Sequence, residues 1–215
     1  MDQSGSTGPE APQPPATPQT PPPAAPAPTT QWAPPPPVVQ AGPAGFVYAD
    51  VPNRAIAYII DAILVAIIGG IIGAILGGFG LQPATFSLVN GFTYNPVAFL
   101  IVGVIQLIIS GAYFVYTWTA MRGTPGMKVL GMQIGNAVDG KTLTMDQAIR
   151  RWVIIAGPAA IAQAVLPFST IGALLGFLAF LWFCYLLYTT WKSPTKQGYH
   201  DIFANTMVVK ATHVA

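Results

Sequence analysis

Arg54 and Asp61 are the charged residues whose positions best suit a site that binds a proton or a cation. Asp61 is the only charged residue between Ala55 and Ala120, and a carboxylate in an apolar membrane helix costs about 2.5–3.5 kcal/mol at the bilayer centre. Arg54 precedes it by seven residues, a spacing that returns two side chains to one helix face. The pair allows two interpretations: a proton or cation site, or a buried polar cluster that fixes the helix register.

A second polar feature follows in the next apolar run. Four polar side chains recur there at intervals of four, three and four residues, which places them on one helical stripe. They are Gln106, Ser110, Tyr113 and Thr117. In a helix antiparallel to the first, Tyr113 and Thr117 come level with Asp61 and are able to donate hydrogen bonds to its carboxylate. Such a stripe is more often a contact between helices than a permeation path.

The elements that hold these side chains are predicted to be membrane-spanning helices. Only 7% of the 215 residues are charged and 53% are hydrophobic, whereas a soluble domain carries roughly 25% charged residues. This deficit argues against a soluble enzyme. We therefore predict an all-α membrane protein without enzymatic activity, built as a small transmembrane helix bundle and bound to the lipid bilayer.

Uncharged runs of sufficient length predict the membrane spans. They are residues 55–81, 97–121, 152–166 and 170–191. The last two belong to one uncharged stretch that Pro158 and Pro167 interrupt. Its length fits either two short spans or one span preceded by an interfacial or re-entrant helix. Four crossings are preferred, and three are the alternative.

The distribution of basic residues favours the even number. Lysines and arginines are concentrated between residues 122 and 151 and recur after Trp191, while the loop 82–96 has none. Because basic loops stay on the cytoplasmic side, this loop is predicted to lie outside. An odd number of spans would put the C-terminal lysines outside as well. We therefore expect both termini in the cytoplasm.

Two further segments are predicted to lie on the cytoplasmic side. Residues 1–45 are rich in proline and lack the basic start and apolar run of a signal peptide, so they are predicted to be a disordered tail. The tail acts either as a spacer or as a ligand for a cytoplasmic protein that binds polyproline II. Residues 126–145 contain two β-like runs around Asp139-Gly140, which predict a short β-hairpin.

Other kinds of site find little support. His200, His213 and Cys184 are the only histidines and cysteine, and no phosphate-loop or nucleophile motif occurs. We therefore predict no cofactor, no metal and no nucleic acid partner.

A glycine repeat in the first apolar run predicts close helix packing. Gly69, Gly73 and Gly77 recur at every fourth position, and residues without side chains allow a second helix to approach closely. That helix belongs either to another span or to a second copy of the chain, as in a homo-oligomer.

Several short motifs, taken in order, resemble the RDD family of bacterial membrane proteins. They are NRAIAYIIDAIL, RGTPGMKVLGMQI, AIRRW and QGYHDIFANTMVV. The resemblance covers about residues 46–210, and the tail before them is similar to that of the proline-rich-antigen branch. The family is named for one arginine and two aspartates, which here are Arg54, Asp61 and Asp201. The resemblance implies a bacterial inner-membrane protein with three spans, for which transport is the common suggestion.

The predicted functional cluster combines these three residues. We expect Asp201 at the cytoplasmic surface near Arg54, Arg122 or Arg150, with Arg54 bridging Asp61 and Asp201. One function is a small transporter, or a transport accessory, in which Asp61 exchanges a proton or binds a cation. The alternative is a non-transporting scaffold that recruits a protein through its tail or its hairpin.

Overall fold

The structure, a computed structural model, describes residues 45–165 and 170–213. Almost all of the predicted Pro-rich tail lies outside the described residues, and so does the junction at residues 166–169 between the last two predicted spans. In chain order the elements are β1 (Phe46–Tyr48), α1 (Val51–Gly78), β2 (Ala84–Ser87), β3 (Gly91–Tyr94), α2 (Pro96–Ala120), α3 (Pro125–Val129), β4 (Met132–Asn136), α4 (Met145–Val165), α5 (Thr170–Lys192), α6 (Tyr199–Phe203) and β5 (Thr206–His213).

Three of the described helices are long and apolar enough to cross a membrane: α1, α2 and the part of α5 from Ile171 to Lys192. The fourth long helix, α4, differs in composition. Asp146, Arg150 and Arg151 lie near its start, and Pro158 lies inside it. Composition therefore supports three spans directly and leaves the role of α4 to its packing.

The start of α2 follows from local sequence chemistry. The Asn95 side chain accepts a hydrogen bond from the backbone N–H of Ala98 at 3.1 Å, which satisfies one of the free donors of the first turn. Pro96 follows, at a position where the missing N–H costs nothing. Pro52, the second residue of α1, also lies in a first helical turn. These residues explain why α1 begins four residues, and α2 one residue, before the predicted apolar runs.

Helix α4 packs between α2 and α5. The indole N–H of Trp152 donates to the Ser110 hydroxyl of α2 at 3.3 Å, and the Trp152 ring covers Gly111. On the other side, the indole N–H of Trp182 in α5 donates to the backbone carbonyl of Ile154 at 2.8 Å. Two tryptophan hydrogen bonds thus fix α4 to both of its neighbours.

Three strands form an antiparallel sheet in the order β1-β5-β4, and this sheet packs against the helices. Its register pairs Ile134 with Val208 and Tyr48 with Val209. Met132, Ile134 and Val208 are buried and form one hydrophobic core with residues of α1, α2 and α4. The sheet therefore joins the start of the described chain to its end.

The predicted hairpin over residues 126–145 is wrong. Its first run divides into α3 and β4, and its second run, residues 141–144, is not a strand. The turn itself forms, because the Gly140 N–H donates to the Asn136 carbonyl at 2.9 Å. However, β4 pairs with β5, whose consecutive residues Met207, Val208 and Val209 are all buried, whereas only Leu143 is buried among residues 141–144. Burial of apolar side chains thus favours the distant partner.

A hairpin that was not predicted lies in the loop between α1 and α2. Strands β2 and β3 pair antiparallel, with Thr85 opposite Thr93 and Phe86 opposite Phe92. Asn90 ends the connecting turn and Gly91 begins β3 with a positive φ of 66°, which glycine adopts without strain. The turn signal was visible in the sequence, but the flanking residues were too few to predict the strands.

Candidate functional site

Asp201 lies at the centre of a buried ionic cluster. Its carboxylate is fully buried and is 2.7 Å from Nη1 of Arg54, and its second oxygen contacts Nη1 of Arg151. The backbone N–H of Gly198 donates to the first oxygen at 3.0 Å, and the Thr206 hydroxyl lies 3.2 Å from the second. Both oxygens therefore have charged and neutral partners, as a buried carboxylate requires.

Arg54 connects three parts of the chain. From the first turn of α1 it donates to the Ala49 carbonyl at 3.1 Å and to the Val208 carbonyl at 3.3 Å, in addition to its salt bridge with Asp201. Each of these bonds uses a different nitrogen of the guanidinium group. The side chain thus joins the β1–α1 junction, β5 and α6. A guanidinium group suits this role better than an ammonium group, because its five donors point in fixed directions.

Arg151 approaches the same carboxylate from α4. Its guanidinium carbon lies 5.2 Å from the centre of the Trp118 ring in α2, a distance typical of a cation–π contact. It also donates to the Thr206 hydroxyl at 2.7 Å. Two arginines and one carboxylate leave one positive charge in excess within this cluster.

The two titratable residues of α6 respond differently to this environment. Burial acts to raise the pKa of Asp201, but the positive charges of Arg151 and Arg54 outweigh it and hold the pKa well below its usual range. Burial lowers the pKa of His200 to about 4, with the two arginines reinforcing this effect and Asp201 opposing it. At neutral pH, Asp201 is therefore charged and His200 is neutral.

Asp61 forms a separate polar centre, one that also lies deep inside the protein. Its carboxylate accepts hydrogen bonds from the Tyr113 hydroxyl at 2.8 Å, from the backbone N–H of Gly126 at 2.8 Å and from the Thr124 hydroxyl. Thr124 also caps α3, since its hydroxyl accepts from the Met127 N–H at 3.2 Å. Asp61 thereby holds the loop after α2 against α1.

The expected bridge from Arg54 to Asp61 is wrong. Within the two described ranges, the hydrogen bonds to Asp61 come from the three donors above, and none comes from Arg54. Seven residues of helix separate the two by about 10 Å, and all three guanidinium nitrogens of Arg54 have hydrogen-bond partners elsewhere. Asp201 does contact Arg54 as expected, but its second arginine is Arg151 rather than Arg122 or Arg150, and it is buried rather than at the surface.

The residues of the predicted polar stripe have different partners. Tyr113 donates to Asp61, as proposed, and Ser110 binds Trp152. Thr117 instead donates to the Tyr113 carbonyl of its own helix at 2.8 Å. Gln106 donates to the Gly69 carbonyl of α1 at 2.7 Å. The stripe therefore acts mainly as contacts between helices.

The side chain of Gln106 also occupies the space over Gly69. A Cβ atom at Gly69 would overlap with the Gln106 amide, while one at Gly73 would lie 3.9 Å from it. Gly69 thus serves packing within the chain. A homo-oligomer formed through Gly69, Gly73 and Gly77 stays a prediction.

Three partly open cavities lie between the helices of the described chain. The first, of about 90 Å³, is lined by Arg54, Asp61, Arg151 and His200 together with aromatic side chains. The second, of about 250 Å³, lies between α2 and α4 and includes Gln106, Ser110 and Gln163 in its wall. The third, of about 470 Å³, lies between α4 and α5. Tyr58 and Ile155 line all three.

Arg151 is the cluster residue that sequence reasoning missed. A usable signal was present, because Arg150 follows Asp146 by four residues and pairs with it at 2.8 Å on the exposed side of α4. The next residue lies about 100° around the helix and so faces a different environment. In the described part of the chain, no group of three or more His, Cys, Asp or Glu side chains is arranged to hold a metal ion.

Comparison with known proteins gives one match. The family model described as the RDD family matches residues 48–205, which is most of the described chain. No curated protein and no solved structure matches.

Proposed function

The chain belongs to the RDD family, and from that premise we propose that it is a small ion or proton transporter, or a transport accessory. In this proposal it lies in a bacterial cell membrane, and the Arg54–Asp201 cluster and the separate Asp61 centre both serve the pathway near the cytoplasmic face. The observation that carries the proposal is the set of three cavities that share Tyr58 and Ile155. A polar site with further cavities beside it, between helices long enough to span a membrane, supports a path for a small solute.

A topology of four crossings is part of the proposal, and strand pairing supports it. Strands β4 and β5 are hydrogen-bonded neighbours, so the start of α4 and the end of α5 lie on one side of the membrane. If α5 crosses once, the chain before it must cross once as well. Strand β1, which precedes α1, pairs with the same β5. An even number of crossings keeps all three strands together.

The packing of α4 supports the same topology. Trp152 contacts Ser110 in the second half of α2, while Ala160 and Gln163 share a cavity wall with Phe99 and Leu100 at its beginning. This favours an antiparallel course along most of α2. The uncharged part of α4, residues 152–165, rises by about 21 Å, less than the roughly 30 Å of a hydrocarbon core, so a crossing by this helix implies a locally thinner bilayer. With the basic segments inside, both ends of the chain lie in the cytoplasm.

Ion flux in proteoliposomes tests the proposal. Wild-type protein is expected to carry protons or monovalent cations, and Asp61→Asn is expected to lose the flux because it removes the charge beside the first cavity. Asp146→Asn is the matched control, since Asp146 pairs with Arg150 at the surface. Equal flux in wild type and Asp61→Asn removes Asp61 from the mechanism. Absence of flux in all three proteins contradicts transport and favours the alternative below.

The alternative is a membrane scaffold that recruits a cytoplasmic protein through the Pro-rich tail. The saturation of Asp61 by three hydrogen-bond donors favours it, because an ion or proton would have to displace one of them. Deletion of residues 1–45 is expected to abolish co-purification of a specific partner while the bundle still inserts. If the partner remains bound, the tail is only a spacer.

A further inference from the structure

The hairpin between α1 and α2 has one apolar face and one polar face. Directly opposed residues in an antiparallel pair share a face, and neighbours along a strand alternate. Phe86 and Phe92 therefore lie on one side, with ring centres 5.0 Å apart. Thr85 and Thr93 lie on the other, with hydroxyl oxygens 2.7 Å apart. Tyr94 follows Phe92 by two residues and shares its face.

The apolar face is not covered by the described part of the chain. Phe86 is 62% exposed, Phe92 67% and Tyr94 55%, and Leu88 and Val89 at the turn are more than 90% exposed. An isolated two-stranded hairpin is only marginally stable in water. Large exposed apolar side chains on such a ribbon indicate an environment other than water.

Lipid is the cover that the position and charge of the hairpin favour. The ribbon joins the end of α1 at Gly78 to the start of α2 at Pro96, the ends of two helices suited to cross a membrane. No Lys, Arg, Asp or Glu occurs between Ala62 and Met121, so moving the ribbon into the membrane interface desolvates no charge.

The depth of insertion follows from the backbone. A two-stranded ribbon has an unpaired row of N–H and C=O groups on each outer edge, which excludes it from the hydrocarbon core. At the interface these groups remain hydrated, and aromatic side chains are favoured there. We propose that this hairpin lies flat in the membrane interface, in the outer leaflet under the proposed topology, with Phe86, Phe92 and Tyr94 towards the acyl chains and the threonine face towards water.

The test compares two adjacent positions in the full-length chain. In a Cys184→Ser background, Phe86→Cys and Thr85→Cys are each labelled with a nitroxide and reconstituted in liposomes. Collision with oxygen, which concentrates in lipid, is compared with collision with a water-soluble nickel chelate. The label at position 86 is expected to show a several-fold higher oxygen-to-nickel ratio than the label at position 85.

Two outcomes overturn the proposal. Equal and high nickel access at both positions means that the hairpin stands in water. Protection of both positions from oxygen and nickel alike means that protein, such as a second copy of the chain, covers it. Tyr94→Cys repeats the measurement on the apolar face, so the result does not depend on Phe86 alone. The prediction is independent of transport, and a protein without flux is still expected to give the lipid-facing signal.

Discussion

Arg54 and Asp201 are 147 residues apart in the sequence and 2.7 Å apart in the structure. Their salt bridge joins the first helix to the short helix α6, and Arg151 binds the other oxygen of the same carboxylate. Buried charges of this kind depend on one another, because the removal of one leaves the others desolvated without compensation. The cluster is therefore a point at which single substitutions have large effects.

Asp201→Asn is expected to lower the free energy of unfolding by about 3–5 kcal/mol, because it leaves Arg54 and Arg151 buried without a counter-charge. Thermal unfolding of the purified protein in detergent measures the loss. Asp146→Asn is the control. It breaks the exposed salt bridge between Asp146 and Arg150, which lie one helical turn apart, and such a pair contributes about 0.3–0.5 kcal/mol to stability. Equal melting temperatures for the two variants would contradict a structural role for the Asp201 cluster.

Arg54→Lys is expected to destabilise the protein although it keeps the charge. A lysine has one nitrogen, which is unable to reach the Ala49 carbonyl, Asp201 and the Val208 carbonyl together. The loss of hydrogen bonds to buried acceptors costs about 1–3 kcal/mol. Arg150→Lys, at an exposed position, controls for the change of side chain. A melting temperature of Arg54→Lys that matches this control would disprove the three-way connection.

His200 makes stability depend on pH. Its pKa is about 4 in the folded protein and about 6.5 in an unfolded chain. Between these values the unfolded chain binds a proton that the folded protein does not bind, so stability falls as the pH falls from about 6.5 to about 4, by about 3 kcal/mol. The stabilisation by charged Asp201 is fully present above the ordinary pKa of an aspartate, about 4, and is lost only as the pH falls below that value.

A comparison of wild type with His200→Gln checks this slope. Glutamine does not titrate, so its melting temperature is expected to change little between pH 6.5 and pH 4.5, while that of wild type falls. The same decline in both proteins would assign the acid sensitivity to another group.

Gly69→Ala and Gly70→Ala form a matched pair on neighbouring residues of α1. A methyl group at Gly69 displaces Gln106 and breaks its hydrogen bond to the Gly69 carbonyl, while nothing lies within 4 Å of the same group at Gly70. We expect Gly69→Ala to cost about 1–2 kcal/mol and Gly70→Ala to be neutral or up to about 1 kcal/mol stabilising. Thermal unfolding and crosslinking are measured together. An oligomer that dissociates in Gly69→Ala without loss of thermal stability would instead favour contact between copies.

The helices were predictable where the relevant forces are local. Uninterrupted apolar runs, Pro52 near the start of α1 and the Asn95-Pro96 pair before α2 together indicate where these helices lie. The pairing of β4 was not predictable in this way. The Asp139-Gly140 turn pointed to a local hairpin, and only the burial of Val208, more than 70 residues after β4 begins, decides the true partner.

The cluster was predictable in composition rather than in geometry. The family resemblance identified Arg54, Asp61 and Asp201 as candidates. However, their spacing in the sequence does not predict which arginine forms a hydrogen bond with which carboxylate. Arg150 and Arg151 are adjacent and identical in type, and the structure separates them through their partners, Asp146 outside and Asp201 inside. Tertiary contacts of this kind leave no local pattern in the sequence.

The long sequence separation between Arg54 and Asp201 also bears on the biogenesis of the protein. At roughly 5–20 residues per second, the ribosome needs roughly 7–30 s to synthesise the residues that lie between them. Throughout that time Arg54 lacks its carboxylate partner from α6, and β1 lacks the strand with which it pairs. Synthesis of α6 and β5 is then the last step of folding. Until it occurs, the helices are incompletely folded and cellular quality control is able to recognise them.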